Sequence, residues 1–303
     1  MERLKRFIQE YKISFAIVFI FLLECMRGSY DLKAWSFLRQ MNIMTFLTIG
    51  VSLEMMSGDF DLAFAAQISL STITAALLIS AGLPIWTACI VIIGLNAILG
   101  CLKGFLLTKL KMPSIIFTLA LQVIFLNIFS GVLPDNRINF SDILVLHGNR
   151  AAEVLVTGLL ILTVCGMYFF LNNTYYGKYC RMLGENMELA EKSGLNCMAI
   201  SMIIHVIASL FFSIPAISIM LYTSSGSTYM GANYLYKVLA AVCLGGIGFQ
   251  NGKGSVNGMV IGALTVVTML MMLTGSGYLN RFETILEGII ILLALDVKNR
   301  TKN

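Results

Sequence analysis

Apolar residues along this chain fall in long unbroken blocks rather than at helical or alternating spacing. "ISFAIVFIFLL", "TITAALLISAGLPIWTACIVIIGLNAILG" and "MVIGALTVVTMLMML" each run without a single charge. A helix that is apolar on every side is surrounded by lipid or by other helices, and about 20 such residues cross the hydrocarbon core. The blocks predict spans at 12–27, 38–56, 62–81, 84–107, 113–133, 151–171, 199–221, 236–250, 256–274 and 282–297. The expected fold is therefore an all-α integral membrane protein with about ten transmembrane helices. The second, eighth and tenth blocks are short or interrupted by glycine, as in tilted, re-entrant or broken helices that line a cavity.

The polar remainder is short, and its longest stretch lies between Asn172 and Met198. Residues 1–303 thus read as a single transmembrane domain with a cytoplasmic loop at about 172–198. Composition agrees: 58% of residues are hydrophobic and 12% charged, with a mean hydropathy of +0.84, whereas soluble domains carry about 25% charged residues. With the N-terminus inside, fourteen of the 21 Lys and Arg fall on cytoplasmic segments, among them Lys103, Lys109 and Lys111. This bias predicts an even number of spans and both termini in the cytoplasm. Membrane topology accounts for the net charge of +5 without a nucleic-acid partner. The basic start before "ISFAIVFIFLLECM" is followed by no small-x-small cleavage site, so it is read as an uncleaved first span. The 7 Cys form no C-x-x-C pair, which indicates neither a disulfide framework nor a metal site.

"LGGIGFQNGKGS", residues 244–255, looks at first like a phosphate-binding loop. The motif requires a glycine five residues before Gly252, where Ile247 stands, and a hydroxyl after Lys253, where Gly254 stands. The nucleotide reading fails at both ends. No Ser-His-Asp, Cys-His or paired-carboxylate arrangement suggests catalysis, so no catalytic residue is assigned.

Within the polar loop, Asn186 is placed to cap a helix. Glu188 stands at the positive end, Lys192 at the negative end and Gly194 at the stop. These signals predict a helix of about two turns over Met187–Ser193, suited either to docking into another protein or to resting on the bilayer surface. In "MSGDFDLAFAAQ", Gly58 gives a turn its freedom, and Asp59 or Asp61 caps the helix that follows. Glu54 and Glu287 lie in apolar runs, where a carboxylate is either functional or snorkels to an interface. His205 is read as a neutral histidine between packed helices.

Four stretches, taken together and in order from about residue 36 to the C-terminus, resemble one family: the membrane permease subunits of ATP-driven (ABC) importers for simple sugars such as ribose, xylose and galactose. "GDFDLA" (Gly58, Asp59, Asp61, Leu62) resembles the family's signature after the second span, and "KMPSIIFTLA" (Pro113) resembles its entry to the fifth. "GKYCRMLGENMELAEKSGLN" resembles its cytoplasmic loop. "LAAVCLGGIGFQNGKGSVNGMVIGAL" resembles its glycine-rich turn, with Gly245, Gly246, Gly252, Lys253 and Gly254. The chain departs from the pattern at Ala63, Ala65, Ala120 and Asn251, as a diverged permease or one of two non-identical permeases would.

The resemblance implies that two permease subunits, identical or paralogous, form a pathway across the plasma membrane of a prokaryote. An extracytoplasmic solute-binding protein delivers the sugar, and cytoplasmic ABC ATPases hold ATP and Mg, so this chain itself carries no cofactor. It implies ATPase coupling through 184–196, with Gly184, Glu185, Asn186, Glu188, Leu189 and Ala190 followed by Ser193, Gly194 and Leu195. Asn96, Gln122 and Asn127, polar side chains inside apolar spans, are the pathway candidates, and interhelical hydrogen bonding explains them equally. Two rivals differ in class: a proton-coupled secondary transporter using Glu54 or Glu287, and a structural membrane scaffold.

Overall fold

The computed structural model describes Tyr11, residues 14–19, 34–129, 137–140, 150–248 and 252–275, together with Ile285 and Gly288. Of the expected first span, 12–27, residues 14–19 are described and are helical; of the tenth, 282–297, all but Ile285 and Gly288 lie outside the described residues. Every apolar block between them forms a helix. In chain order these are α1 (Ala34–Met56), α2 (Phe64–Ser80), α3 (Ile85–Leu110) and α4 (Ser114–Asn127). A strand β1 (Arg137–Asn139) follows, then α5 (Arg150–Asn173), α6 (Tyr175–Glu185), α7 (Met187–Lys192) and α8 (Cys197–Thr223). Strand β2 (Ser225–Ser227), α9 (Ala232–Leu244) and α10 (Val256–Gly275) complete the order. Among the described residues, α3, the Val154–Asn173 part of α5 and α8 are long and apolar enough to cross a membrane.

α1 and α2 form the interior. Met44, Phe46, Leu47, Ile49 and Leu53 on α1 and Phe64, Ile68 and Ile73 on α2 are removed from the surface, walled by α8, α9 and α10. The outer helices present apolar side chains instead: Trp86, Ile90 and Ile98 on α3, Ile116 and Val123 on α4, and Leu155 and Leu162 on α5. Such faces oppose solution in water, at about 25 cal/mol per Å², and are at home against lipid.

α1 differs from its expectation as a short element. It is a continuous helix of 23 residues, and Gly50 within it does not break the helix but allows a close approach. A Cβ there would meet the Ala208 carbonyl oxygen of α8 at 3.0 Å. The short eighth block does form a short helix. At 13 residues, α9 is about 20 Å long, less than the roughly 30 Å core, and its buried Val238–Val242 segment packs on protein.

α3 and α8 form the most extensive helix pair. Their backbones touch because a Cβ on Gly104 would lie 2.6 Å from Met202 Cα, and one on Gly100 would lie 2.8 Å from Ser209 Oγ. Small residues that let backbones meet are the usual means of helix association in lipid. The β1–β2 ribbon, which pairs Arg137 with Ser227 and Asn139 with Ser225 antiparallel, was not expected. Strands of three residues carry too little alternation to be recognised in sequence.

Candidate functional site: a junction of turn, loop helix and glycine loop

Met56 ends α1, and the chain reverses into α2 through Ser57–Ala63. Gly58 takes φ 100°, a conformation that side chains rarely adopt. Asp61 Oδ1 accepts a hydrogen bond from Ala63 N at 2.7 Å, a bond within the turn; the N-cap of α2 is Ala63, without a side-chain cap, so neither Asp59 nor Asp61 is the helix cap expected from the sequence. Ser114 and Thr118 of α4 hold the turn on its other side. Ser114 Oγ accepts from Phe60 N at 3.0 Å and Thr118 Oγ1 donates to the Phe60 carbonyl at 3.1 Å. The exposed Pro113 precedes α4 with an extended backbone, ψ 124°.

α6 and α7 bring the polar loop to this turn. Asn186 caps α7, its side chain accepting from Leu189 N at 3.0 Å. Gly194 follows with φ 82°, and Lys192 lies 3.9 Å from Glu188 one turn away. The helix expected over Met187–Ser193 is thus present as Met187–Lys192, with Ser193 as its C-cap. Ala190 is its buried contact, Leu195 is half-buried, and Glu185, Glu188, Leu189 and Ser193 point outward. Replacing Asn186 by Ala removes the cap, at a cost of about 1 kcal/mol. The α7 amides of N186A should therefore exchange hydrogen roughly five-fold faster, with α8 amides unchanged.

The glycine loop closes the junction. Gly184 sits so tightly on the end of α1 that a Cβ would fall on the Met56 carbonyl, and it would also meet Gly252 Cα at 3.0 Å. Arg181 Nη1 donates to the Gly254 carbonyl at 3.1 Å. Gly245 at the end of α9 lies against Gly258 of α10, Gly246 is exposed, and Lys253 projects outward. Three stretches far apart in sequence thus share one point of backbone contact, and the loop read as a false phosphate site is a packing turn.

A cavity of about 290 Å³ opens beside this point, lined by Ser57 and Asp59 of the turn, Leu107 of α3 and Lys111 at its C-cap, and Glu188 and Glu191 of α7. Leu62, half-buried, sits just beyond the turn's Asp61.

Behind the turn lies a cluster of ions that sequence reasoning assigned differently. Lys103, counted above as a cytoplasmic charge, is 1% exposed on α3. Its Nζ lies 2.6 Å from Asp61 Oδ2 and 3.1 Å from Glu54 Oε1, with the Phe212 ring centroid 5.4 Å away. Pairing offsets a desolvation penalty that no buried ion escapes. Glu54 is therefore no lone intramembrane carboxylate, and Glu287 lies outside the described residues. His205 is fully buried, its Nδ1 beside the Ser201 carbonyl at 2.9 Å and its Nε2 3.6 Å from Asp59. The one signal that could have found Lys103 was its place in "LNAILGCLKGFLL", about one turn short of the end of the block.

The pathway candidates are not brought together. Asn96 is fully buried between helices, accepting from Gln67 Nε2 at 2.7 Å and donating to Ser71 Oγ at 3.0 Å. Asn127 is exposed and bonds the Val123 carbonyl of its own helix at 2.8 Å, and Gln122 is half-buried on α4. None of the three lines the cavity described above.

The chain is similar to known permeases. The chain is 24% identical over 276 residues to the ribose import permease protein RbsC of Escherichia coli K12, covering 88% of this chain and 85% of that one. It is 24% identical over 270 residues to the RbsC of Haemophilus influenzae, with 86% and 83% covered. It is likewise 24% identical over 264 residues to the autoinducer 2 import system permease protein LsrD of Salmonella paratyphi B, with 82% and 80% covered. No solved structure matches. The sequence model of one family, described as branched-chain amino acid transport system, permease component, matches residues 34–295. An integral membrane permease subunit and not an enzyme, the chain belongs to that family.

Proposed function

We propose that this chain forms, with a second permease subunit, the pathway of a binding-protein-dependent importer in the plasma membrane of a prokaryote. Its cargo is a monosaccharide or related small polar solute, and separate cytoplasmic ATPases drive it between inward- and outward-open states. The observation that carries this reading is α7, a short, capped, outward-facing helix that faces, across a cavity, the turn between the two innermost helices. A rigid element in that position converts displacement by a partner into a change among the core helices, provided the partner contacts it differently in the two states. The names of the relatives, ribose import and autoinducer 2 import permeases, support a small polyhydroxylated cargo. Of the pathway candidates Asn96, Gln122 and Asn127, we propose Gln122 for the first test, since Asn96 is committed to Gln67 and Ser71.

The test is purification of the tagged chain from its native membrane, followed by uptake of labelled ribose, xylose and galactose into proteoliposomes. An ATPase with a true P-loop is expected among the retained proteins, and uptake is expected to need ATP and binding protein. Uptake that proceeds without ATP and collapses with a protonophore would overturn the reading in favour of a proton-coupled carrier.

A further inference from the structure

The Ser57–Ala63 turn is held from four directions, one of them α8, whose His205 Nε2 lies 3.6 Å from Asp59 Oδ2. α4 holds it through neutral hydrogen bonds to Phe60. α6 abuts it where Gly58 meets Gly184, whose Cα would stand 3.4 Å from a Cβ on Gly58. α3 holds it through Lys103, whose ammonium reaches both ends of the connection: Glu54 in the last turn of α1 and Asp61 at the entry of α2. Asp61 passes that hold directly to α2, because its other oxygen accepts from Ala63 N. The helix that carries Lys103 is itself pinned to α8 by the close approach at Gly104.

The same turn faces α7 across the cavity. A displacement of α7 therefore meets first the turn and then the side chains that tie it to the α3–α8 pair, Lys103 of α3 on Asp61 and Glu54 and, 3.6 Å from Asp59, His205 of α8. An aliphatic residue at 103 would preserve the packing but not this tie. A buried ion pair is a poor source of stability, since apolar replacements of similar volume are often neutral or better, whereas fixing one arrangement among several is its better-attested use. We propose that Lys103 is a positioning residue for transport: it fixes the Gly58–Ala63 turn to α3, so that movement of α7 is delivered to α1 and α2 rather than absorbed by the turn. This rests on the importer reading above.

Removing the lysine alone strands two buried carboxylates, so the informative variant is Glu54→Gln, Asp61→Asn and Lys103→Met combined, which leaves no buried charge. In the ATPase complex this triple variant should assemble and hydrolyse ATP near the wild-type rate. Uptake of the labelled sugar that the wild type accumulates should fall by about ten-fold or more, and amides 57–63 should exchange faster while those of α3 and α8 do not. Glu54→Gln alone, which keeps Lys103 on Asp61, should retain uptake, and it decides the matter should the triple variant fail to assemble. Wild-type uptake in the triple variant, or loss of uptake in E54Q with amides 57–63 still protected, overturns the proposal. If no ATPase accompanies even the wild type, the importer reading falls instead. The exchange of 57–63 in the purified chain then still decides whether Lys103 fixes the turn.

Discussion

A chain carrying Glu188→Pro together with Glu191→Pro should insert into the membrane at wild-type level and lose ATP-driven uptake to background. Proline at 191 has no N–H to turn toward the Met187 carbonyl, and its ring clashes there, a cost of about 3 kcal/mol. Proline at 188 pushes Met187 out of the helical region. A helix of six residues has no further turns to compensate, so α7 unwinds. Insertion is untouched because Glu188, Leu189 and Glu191 point away from the core and only Ala190 is buried. Deletion of Met187–Ser193 should give the same result. The measurements are membrane yield by blotting, ATP hydrolysis of the complex, and uptake of labelled sugar. Normal uptake in the double-proline variant would sink the coupling assignment, and loss of membrane yield would show that the loop serves folding instead.

Gly184→Val should have a comparably large effect by a different route, abolishing the assembled permease itself. Its Cβ would fall on the carbonyl of Met56, which is backbone and cannot rotate away, and would crowd Gly252 from the other side. Overpacking of a core side chain costs roughly 1–3 kcal/mol, and here the clash is between two main chains, so α6 must lift from α1. Arg181 then loses its contact with Gly254, and the glycine loop detaches with it. Size-exclusion chromatography in mild detergent should show aggregation or proteolysis of G184V where the wild type is monodisperse, while Gly184→Ala should be intermediate. Monodisperse G184V with normal uptake would mean that the three stretches do not share this contact. The two variants, altered at 184 on one side of the Asn186 cap and at 188 and 191 on the other, separate coupling from assembly within one loop.

Most helices were readable because a membrane span is specified by its own composition, with no need to know its neighbours. α7 was readable for a related reason: Asn186, Glu188, Lys192 and Gly194 act on backbone groups within one turn of themselves. The β1–β2 pair was not readable, since each strand is too short to carry a pattern. Lys103 was misread. Its partners stand 42 and 49 residues away, so its own helix offers only its place inside an apolar block and nothing of what it pairs with. Glu54 was singled out correctly as a costly intramembrane carboxylate, but its partner was invisible for the same reason. The loop at 245–254 was separated from a phosphate site and likened to a glycine-rich turn, yet which backbone its glycines admit, that of α6 and α10, depended on the folded arrangement.

By itself, then, the sequence determined everything set by local free energy: the apolar blocks that must leave water, the capped helix between them, and the turn at Gly58. Only the tertiary structure decided which of these elements meet. A Cβ that is missing at Gly184 and a charge that must be neutralised at Lys103 each need a partner brought from elsewhere in the chain, and close packing and ion pairing in a medium without water select that partner only once the helices are assembled.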